Sequence, residues 1–285
     1  MSKEIVIKNR IGFLSQKPLD IEVVLEKTSC GIGFYDEHFR ITSEPNSGPM
    51  MLFDPKCVGR GVQWYDPDNR SKCRLVINTP AAPQDVDLLY KVASCMTEMW
   101  KAKSVYVDDE EIPVSSFPEM VIKDKESNIS VLTNAKQFWS DNVTITGAYW
   151  PLTFSLEEMS AFAGKDGYEE FGRTLHRMLS VDAFFAAPNI FRDGDLVFCV
   201  YVPLIDAISI MPNTADGNSR DSDGEEKPFD KSLVILGSPD GSGESIKISL
   251  KEYLSKIPEK YIEKYDAEHV QVHPIPIEDL RGIFK

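Results

Sequence analysis

The chain of 285 residues lacks the common catalytic motifs and any long apolar run. It contains no GxSxG elbow, no HExxH helix, no GxGxxG fingerprint and no GxxxxGK[ST] loop, which excludes the hydrolase, zinc-protease and nucleotide-binding sites that these motifs build. No stretch approaches the roughly 18 apolar residues of a membrane-spanning helix. The opening MSKEIVIKNRIGF has no secretion-signal pattern. We therefore expect a cytoplasmic protein with no membrane partner.

Cysteine is scarce and irregularly spaced. The five cysteines are Cys30, Cys57, Cys73, Cys95 and Cys199. No two of them form a CxxC pair, which excludes a zinc ribbon and a thioredoxin-type redox motif. An odd number in a chain of this length also argues against a disulfide scaffold, because a large core needs no such staples. The pattern is typical of a reducing compartment.

Acidic residues outnumber basic ones by 45 to 31, for a net charge of −14. Residues 1–150 hold 17 basic and 21 acidic residues, and residues 151–285 hold 14 and 24, so the excess lies mainly in the second half. A surface of this sign repels phosphate backbones, and we expect no nucleic-acid partner. It would attract a basic protein, although simple solubility explains the same excess.

Hydrophobic periodicity predicts both helices and strands. Residues 31–80 alternate short apolar runs with Gly, Pro, Asn and Asp clusters, as in a β-meander. Residues 84–101 carry apolar side chains at helical spacing, with one buried face. Ser155 and Glu158 form a capping box at the start of a helix that Gly164 and Gly167 interrupt. The run LVFCVYVPL at 196–204 is typical of a central strand covered on both faces.

Together these patterns predict the α+β class. We expect mixed, mostly antiparallel sheets with amphipathic helices packed on one face, because strands run together before their helix. Two associated lobes are predicted, at residues 1–112 and 128–285. The polar and irregular segment 113–127 would connect them. An acidic loop at 213–230 belongs to the second lobe, and one continuous domain is the alternative.

One cluster of cations and aromatics is a candidate binding site. Arg70, Lys72 and Arg74 alternate along a predicted strand, and Arg60 and Trp64 lie on a neighbouring run. Such a patch could bind an acidic or phosphorylated ligand. The competing interpretation is a solvated outer face of an antiparallel sheet. In that case the alternate residues of the strand point inward, namely Cys73, Leu75 and Ile77.

The four histidines give no complete catalytic or metal site. His176 lies on a predicted helix between two arginines, and a general base there would need a carboxylate from elsewhere in the chain. His269 and His273 would share one face of a strand near Asp266, which is half of a metal site at most. No third ligand is suggested by spacing, so we predict no metal and no cofactor.

The acidic loop also contains oxygen ligands that calcium prefers. These are Asp216, Asn218, Asp221, Asp223 and Glu225. Placing Gly224 at the sixth position of an EF-hand loop puts Ser219 first and Asp230 last, and this order does not match the calcium loop.

Three passages in the first part of the chain carry a family resemblance: IVIKNRIGF, GRGVQW and RLVINTPAAPQDVDLLYKVASCMTEMWKAK. Over residues 1–112 the chain resembles an uncharacterised bacterial family, a domain of unknown function in single-chain proteins of similar length. The resemblance implies a bacterial, cytoplasmic origin. It transfers no activity and no catalytic residues.

Two function classes follow from these observations. The first is a non-enzymatic, acidic binding protein that neutralises or senses a basic protein, and it is favoured by the charge excess and the missing catalytic motifs. The second is a hydrolase or transferase whose site is assembled from distant residues around His176. A single sequence does not reveal such a dispersed site.

Overall fold

The computed structural model of the protein describes residues 2–12, 16–35, 41–46, 48–215, 218–220, 226–237 and 245–284. The chain divides into two compact units, Met1–Ser180 and Val181–Lys285. Helices and mostly antiparallel sheets occur in both units, which confirms the predicted α+β class. Within the described ranges, no helix is both long enough and apolar enough to cross a membrane.

The first unit contains an eight-stranded antiparallel sheet and a separate β-hairpin. Its elements are β1 (Ser2–Lys8), α1 (Ile21–Thr28), β2 (Gly31–Tyr35), β3 (Ile41–Thr42), β4 (Met50–Phe53), β5 (Val62–Tyr65), β6 (Lys72–Asn78), α2 (Pro83–Met99), β7 (Ser104–Val107), β8 (Glu110–Pro113), α3 (Phe117–Thr133), α4 (Ala135–Phe138), β9 (Val143–Thr146), β10 (Pro151–Phe154), α5 (Leu156–Ala161) and α6 (Gly164–Leu179). The strand order in the large sheet is β3-β2-β4-β5-β6-β1-β7-β8, and β9 pairs with β10. The predicted meander is thus part of this sheet.

The large sheet buries one of its faces against α1 and α2. In β1, Ile5 and Ile7 are fully buried, while Lys8 is exposed. Helix α2 packs against β1, β5 and β6 with the apolar face that its periodicity predicted. This arrangement follows from strand alternation on one side and helical spacing on the other.

The segment 113–127, for which the sequence predicted a polar and irregular connection, contains a helix. Most of it belongs to the 17-residue helix α3, inside the first unit. Its buried face carries Asp124 and Asn128 beside apolar residues. Asp124 accepts hydrogen bonds from Tyr90 Oη at 2.6 Å and Lys3 Nζ at 3.0 Å, and Asn128 Oδ1 accepts the Ala81 N–H. Polar side chains therefore replace the apolar stripe that would have indicated a helix.

The second unit contains two four-stranded sheets and a small hairpin. Its elements are β11 (Phe184–Phe185), β12 (Asn189–Asp193), β13 (Leu196–Tyr201), β14 (Ser209–Pro212), β15 (Asn218–Arg220), β16 (Glu226–Pro228), β17 (Lys231–Gly237), β18 (Ser245–Ser249), α7 (Leu250–Lys256), β19 (Ile262–Lys264), β20 (His269–Val272) and α8 (Ile277–Ile283). The strand orders are β11-β14-β20-β19 and β12-β13-β17-β18, and β15 pairs with β16. The β11–β14 and β13–β17 pairs are parallel.

Strand β13 lies at the centre of the second unit, between β12 and β17. Its inner residues Cys199 and Tyr201 join a core with Val234 and Tyr253. The strand is central, as predicted, but the run around it is not covered on both faces, because Leu196 is 50% exposed.

Candidate functional site

The structure separates the five residues of the predicted basic patch. Trp64 and Arg60 are buried, at 0% and 8% exposure, so neither offers its side chain to a surface ligand. Arg70 precedes β6 and is exposed, as is Lys72 at the start of β6, and Arg74 is half-buried.

Arg74 already has partners inside the first unit. Its guanidinium lies 3.6 Å from Glu4 and 4.0 Å from the centre of the Tyr65 ring. Lys72 of β6 lies directly opposite Lys8 of β1, so these two like charges form a small cationic area. Binding of an acidic or phosphorylated ligand there stays a prediction that involves Arg70, Lys72 and Arg74.

Arg60 instead belongs to a buried junction with Asp85, the third residue of α2. Asp85 is 1% exposed, and its carboxylate accepts the backbone N–H groups of Arg60, Gly61 and Ala82 at 2.8–3.1 Å. The Arg60 guanidinium donates to the carbonyls of Thr146 and Pro80. The junction thus joins β5, α2 and β9.

Two glycines make room for this junction. A Cβ on Gly59 would lie 2.6 Å from the Asp85 carboxylate, and Gly61 has a φ of +78°. The first three residues of the GRGVQW run, Gly59 to Gly61, therefore have a structural role in the junction. Burial lowers the pKa of the Arg60 guanidinium to about 10, and the Asp85 charge partly opposes that shift. Burial raises the pKa of the Asp85 carboxyl, against the effect of its backbone hydrogen bonds.

His176 holds helix α6 against the loop before β5. Its Nδ1 accepts the Val58 N–H at 3.1 Å and lies 2.9 Å from the Ser180 hydroxyl. No carboxylate in the described ranges hydrogen-bonds or ion-pairs with this ring. Because Nδ1 accepts a hydrogen bond, the neutral ring carries its proton on Nε2. In a catalytic histidine of the triad type, Nδ1 would instead donate to an orienting acid, so the contact of His176 is structural.

His269 has the orienting acid that His176 lacks. Asp266 is 3% exposed, and its carboxylate lies 2.9 Å from His269 Nδ1. The same carboxylate accepts the N–H groups of Glu268 and His269, so it also shapes the turn before β20. His273 Nε2 lies 3.5 Å from Glu263.

The two histidines do not form half of a metal site. Three residues lie between His269 and His273, and in extended chain this spacing corresponds to about 13 Å, which is too far for both rings to bind one ion. Among the described residues, no group of three or more His, Cys, Asp or Glu is placed to hold a metal ion. Of the acidic-loop ligands, Asp216, Asp221, Asp223 and Glu225 lie outside the described residues.

One open groove of about 450 Å³ occurs in the first unit, between α2 and the start of α3. Its lining residues are Tyr90, Lys91, Ser94, Val114, Ser115, Phe117, Pro118 and Val121. The lining is mostly apolar, and Lys91 Nζ donates to the Thr28 carbonyl at 2.5 Å. The groove therefore has no cluster of catalytic groups.

The most distinctive surface lies around the β12–β13 hairpin. Eight large apolar side chains among the described residues are exposed, and five of them fall between residues 190 and 204. We call these five the hairpin surface: Ile190, Phe191, Leu196, Val202 and Leu204, which are 43–50% exposed. Phe191 and Leu196 lie on one face of the hairpin, whereas Ile190 pairs with Cys199 on the other face. The Phe191 ring stacks on Phe198 at 6.1 Å.

Three acidic side chains lie close in sequence to the residues of the hairpin surface. Asp193 and Asp195 lie at the turn of the hairpin, and Asp206 follows β13, and all three are exposed. The sequence contained one signal for this feature, because the apolar residues on either side of Asp-Gly-Asp predict a hairpin. It could not show which side chains stay uncovered, since that depends on the neighbouring strands.

Comparison with known proteins yields a family and no characterised relative. No curated protein and no solved structure matches the chain. A family model described as "Domain of unknown function (DUF4299)" matches residues 2–283. The match covers both units, whereas the sequence resemblance was limited to residues 1–112. The chain therefore belongs to the DUF4299 family, an uncharacterised family of unknown function.

Proposed function

We propose that the protein is a non-enzymatic, acidic, cytoplasmic interaction protein, and that its hairpin surface binds a basic protein. The observation that carries this proposal is the concentration of exposed apolar side chains within residues 190–204. Exposed apolar side chains concentrated in one region are typical of protein interaction sites. Burying the exposed half of each would contribute about 1 kcal/mol.

Charge supports the choice of partner. The net charge of −14 and the exposed Asp193, Asp195 and Asp206 favour a partner that presents lysine or arginine around an apolar centre. Such rim charges mainly raise the association rate and make binding sensitive to salt. The same field disfavours nucleic acids and anionic membranes as partners.

The test compares the wild-type chain with two single variants as baits in a lysate. Leu196→Ser removes an apolar contact from the hairpin surface. Ile122→Ser is the matched control, because Ile122 is 59% exposed on α3 in the other unit. We expect one basic protein that binds wild type and Ile122→Ser, is lost with Leu196→Ser, and elutes at high salt.

The purified partner then permits a quantitative measurement. Leu196→Ser should weaken its affinity by about fivefold, as expected for roughly 1 kcal/mol. Replacing Asp193 and Asp195 by Asn should reduce the salt dependence with little effect at high salt. The proposal fails if the three baits capture the same proteins, or if no captured protein responds to salt.

The alternative is a hydrolase or transferase around His176. The Nδ1 atom of His176 already accepts the Val58 N–H, so the neutral ring carries its proton on Nε2 and has no free nitrogen to act as a base. The His269 ring contacts Phe185, and its Nδ1 lies 2.9 Å from Asp266. These contacts orient the imidazole, so His269 is the better candidate base for such chemistry. His269→Gln should abolish any hydrolase activity found in the purified protein, while His176→Gln should leave it unchanged.

A further inference from the structure

We infer that the groove between α2 and the start of α3 binds a small amphipathic carboxylate, which is an apolar chain that ends in one carboxylate group. This inference goes beyond binding of a basic partner and does not depend on it, because the groove and the hairpin surface lie in different units. A volume of about 450 Å³ is within the range of sites that hold small molecules. Such sites combine a mostly apolar lining with a few polar groups at fixed positions.

The apolar wall of the groove is formed by α3, the turn before it and the ring of Tyr90. Tyr90 Oη donates to Asp124 at 2.6 Å, so this hydroxyl is already engaged and the tyrosine offers its ring. That ring makes an edge contact with Phe117, with 5.2 Å between the ring centres, which fixes the shape of the wall. The other apolar lining residues are Val114, Pro118 and Val121. A hydrocarbon chain placed along this wall leaves water and gains hydrophobic free energy.

The polar part of the groove consists of one cation and two serines. Lys91 is the single charged residue of the lining, and it forms no ion pair with any described residue. The Thr28 carbonyl accepts one of the three N–H donors of its ammonium, which holds Nζ in place and leaves two donors for a ligand. Ser94 and Ser115 also line the groove, and neither hydroxyl hydrogen-bonds within the described part of the chain.

Charge selects the class of ligand. The protein has a net charge of −14, so an unpaired lysine beside an apolar wall is a local exception to its field. One ammonium balances one negative charge, and its hydrogen bonds to a carboxylate are stronger than those to a neutral group. A doubly charged phosphate would lack a second cation, and an amine would be repelled. A monocarboxylate with an apolar chain satisfies both parts of the groove.

Octanoate is the probe for this site, and 1-octanol and octylamine carry the same chain with a neutral and a cationic head group. Calorimetric titration of the purified chain with octanoate should show saturable one-to-one binding, with a Kd of about 1 mM or tighter for a ligand of this size. The alcohol and the amine should bind at least about tenfold more weakly. Affinity should rise by about two- to fourfold for each CH₂ group between butanoate and octanoate, because the added groups lie on the apolar wall.

Single substitutions test where the carboxylate binds. Lys91→Gln keeps a donor for the Thr28 carbonyl but removes the charge, and it should weaken octanoate binding at least about tenfold. Lys91→Arg keeps the charge and should weaken binding clearly less. Lys123→Gln is the matched control, because the Lys123 side chain is 67% exposed on α3 and pairs with Glu119 outside the groove lining. This control should bind octanoate as wild type does.

A blocking variant tests the groove itself. Ser94→Phe places a ring in the groove and leaves Lys91 unchanged, and it should abolish octanoate binding while circular dichroism shows a folded chain. The absence of saturable binding to wild type up to about 10 mM octanoate overturns the inference. Equal binding by wild type and Lys91→Gln, or by octanoate and 1-octanol, overturns it as well. Leu196→Ser should bind octanoate normally, so failure of this inference leaves the basic-partner proposal untouched, and the reverse also holds.

Discussion

Asp85→Asn should destabilise the first unit strongly, although it changes one atom type. The carboxylate accepts three backbone N–H groups, two on Oδ2 and one on Oδ1. An amide keeps one acceptor oxygen and presents an NH₂ group to the remaining donor. At least one buried N–H is then left without an acceptor, and Arg60 loses its neighbouring negative charge.

The magnitude can be worked from these losses. An unsatisfied buried donor costs about 1–3 kcal/mol. Asp85 acts on the Arg60 guanidinium electrostatically without a direct ion pair, so loss of its charge costs less than the about 3–5 kcal/mol of a broken buried pair, and the two effects overlap because both arise at the same carboxylate. We expect a loss of about 4 kcal/mol of unfolding free energy, a large share of the roughly 5–15 kcal/mol of a typical domain.

Urea unfolding followed by tryptophan fluorescence measures this loss in the right unit, because all four tryptophans lie within residues 1–180. Asp87→Asn is the matched control on the same helix. Asp87 is 56% exposed and pairs with Lys125 at 2.8 Å, and its loss should cost less than 1 kcal/mol. Equal effects of the two substitutions, or a loss below 1 kcal/mol for Asp85→Asn, would refute the reasoning.

Two further predictions concern a helix cap and a buried thiol. Ser155→Ala should lower the free energy of unfolding in urea by about 1 kcal/mol, because the Ser155 hydroxyl accepts the Glu158 N–H at the start of α5. The control Ser160→Ala in the same helix should lower it clearly less. Burial raises the pKa of the Cys199 thiol from 9.0 to about 11, so the folded state keeps a proton that the unfolded chain releases. Its contribution to stability is complete below pH 9 and is lost as pH rises through about 11, and Cys199→Ala should flatten that part of a stability profile measured by circular dichroism. An unchanged slope would contradict it.

The parts of the fold that sequence could predict are those where local patterns agree with packing. The capping box of Ser155 and Glu158 occurs as predicted, and α5 and α6 separate near Gly164 as the glycines indicated. Strand alternation in β6 was also correct, since Cys73, Leu75 and Ile77 are buried. Each of these signals lies within a few residues of the element it defines.

The errors occur where long-range polar contacts replace apolar ones. Helix α3 was hidden because Asp124 contacts Tyr90 and Lys3, which are distant in sequence. Sequence also could not show that Arg60 lies apart from the exposed cations, because nothing near Arg60 indicates its buried carboxylate partner.

The position of β1 has a consequence for how the first unit is made in the cell. This strand is synthesised before β6 and β7, yet it lies between them in the finished sheet. About 100 residues must follow before both neighbours exist, which takes roughly 5–20 s at typical rates of translation. Until β6 emerges, the apolar side chains of Ile5 and Ile7 have no sheet to enter. The nascent chain thus offers chaperones a defined apolar segment. Folding of this unit can be completed only after β7 has emerged.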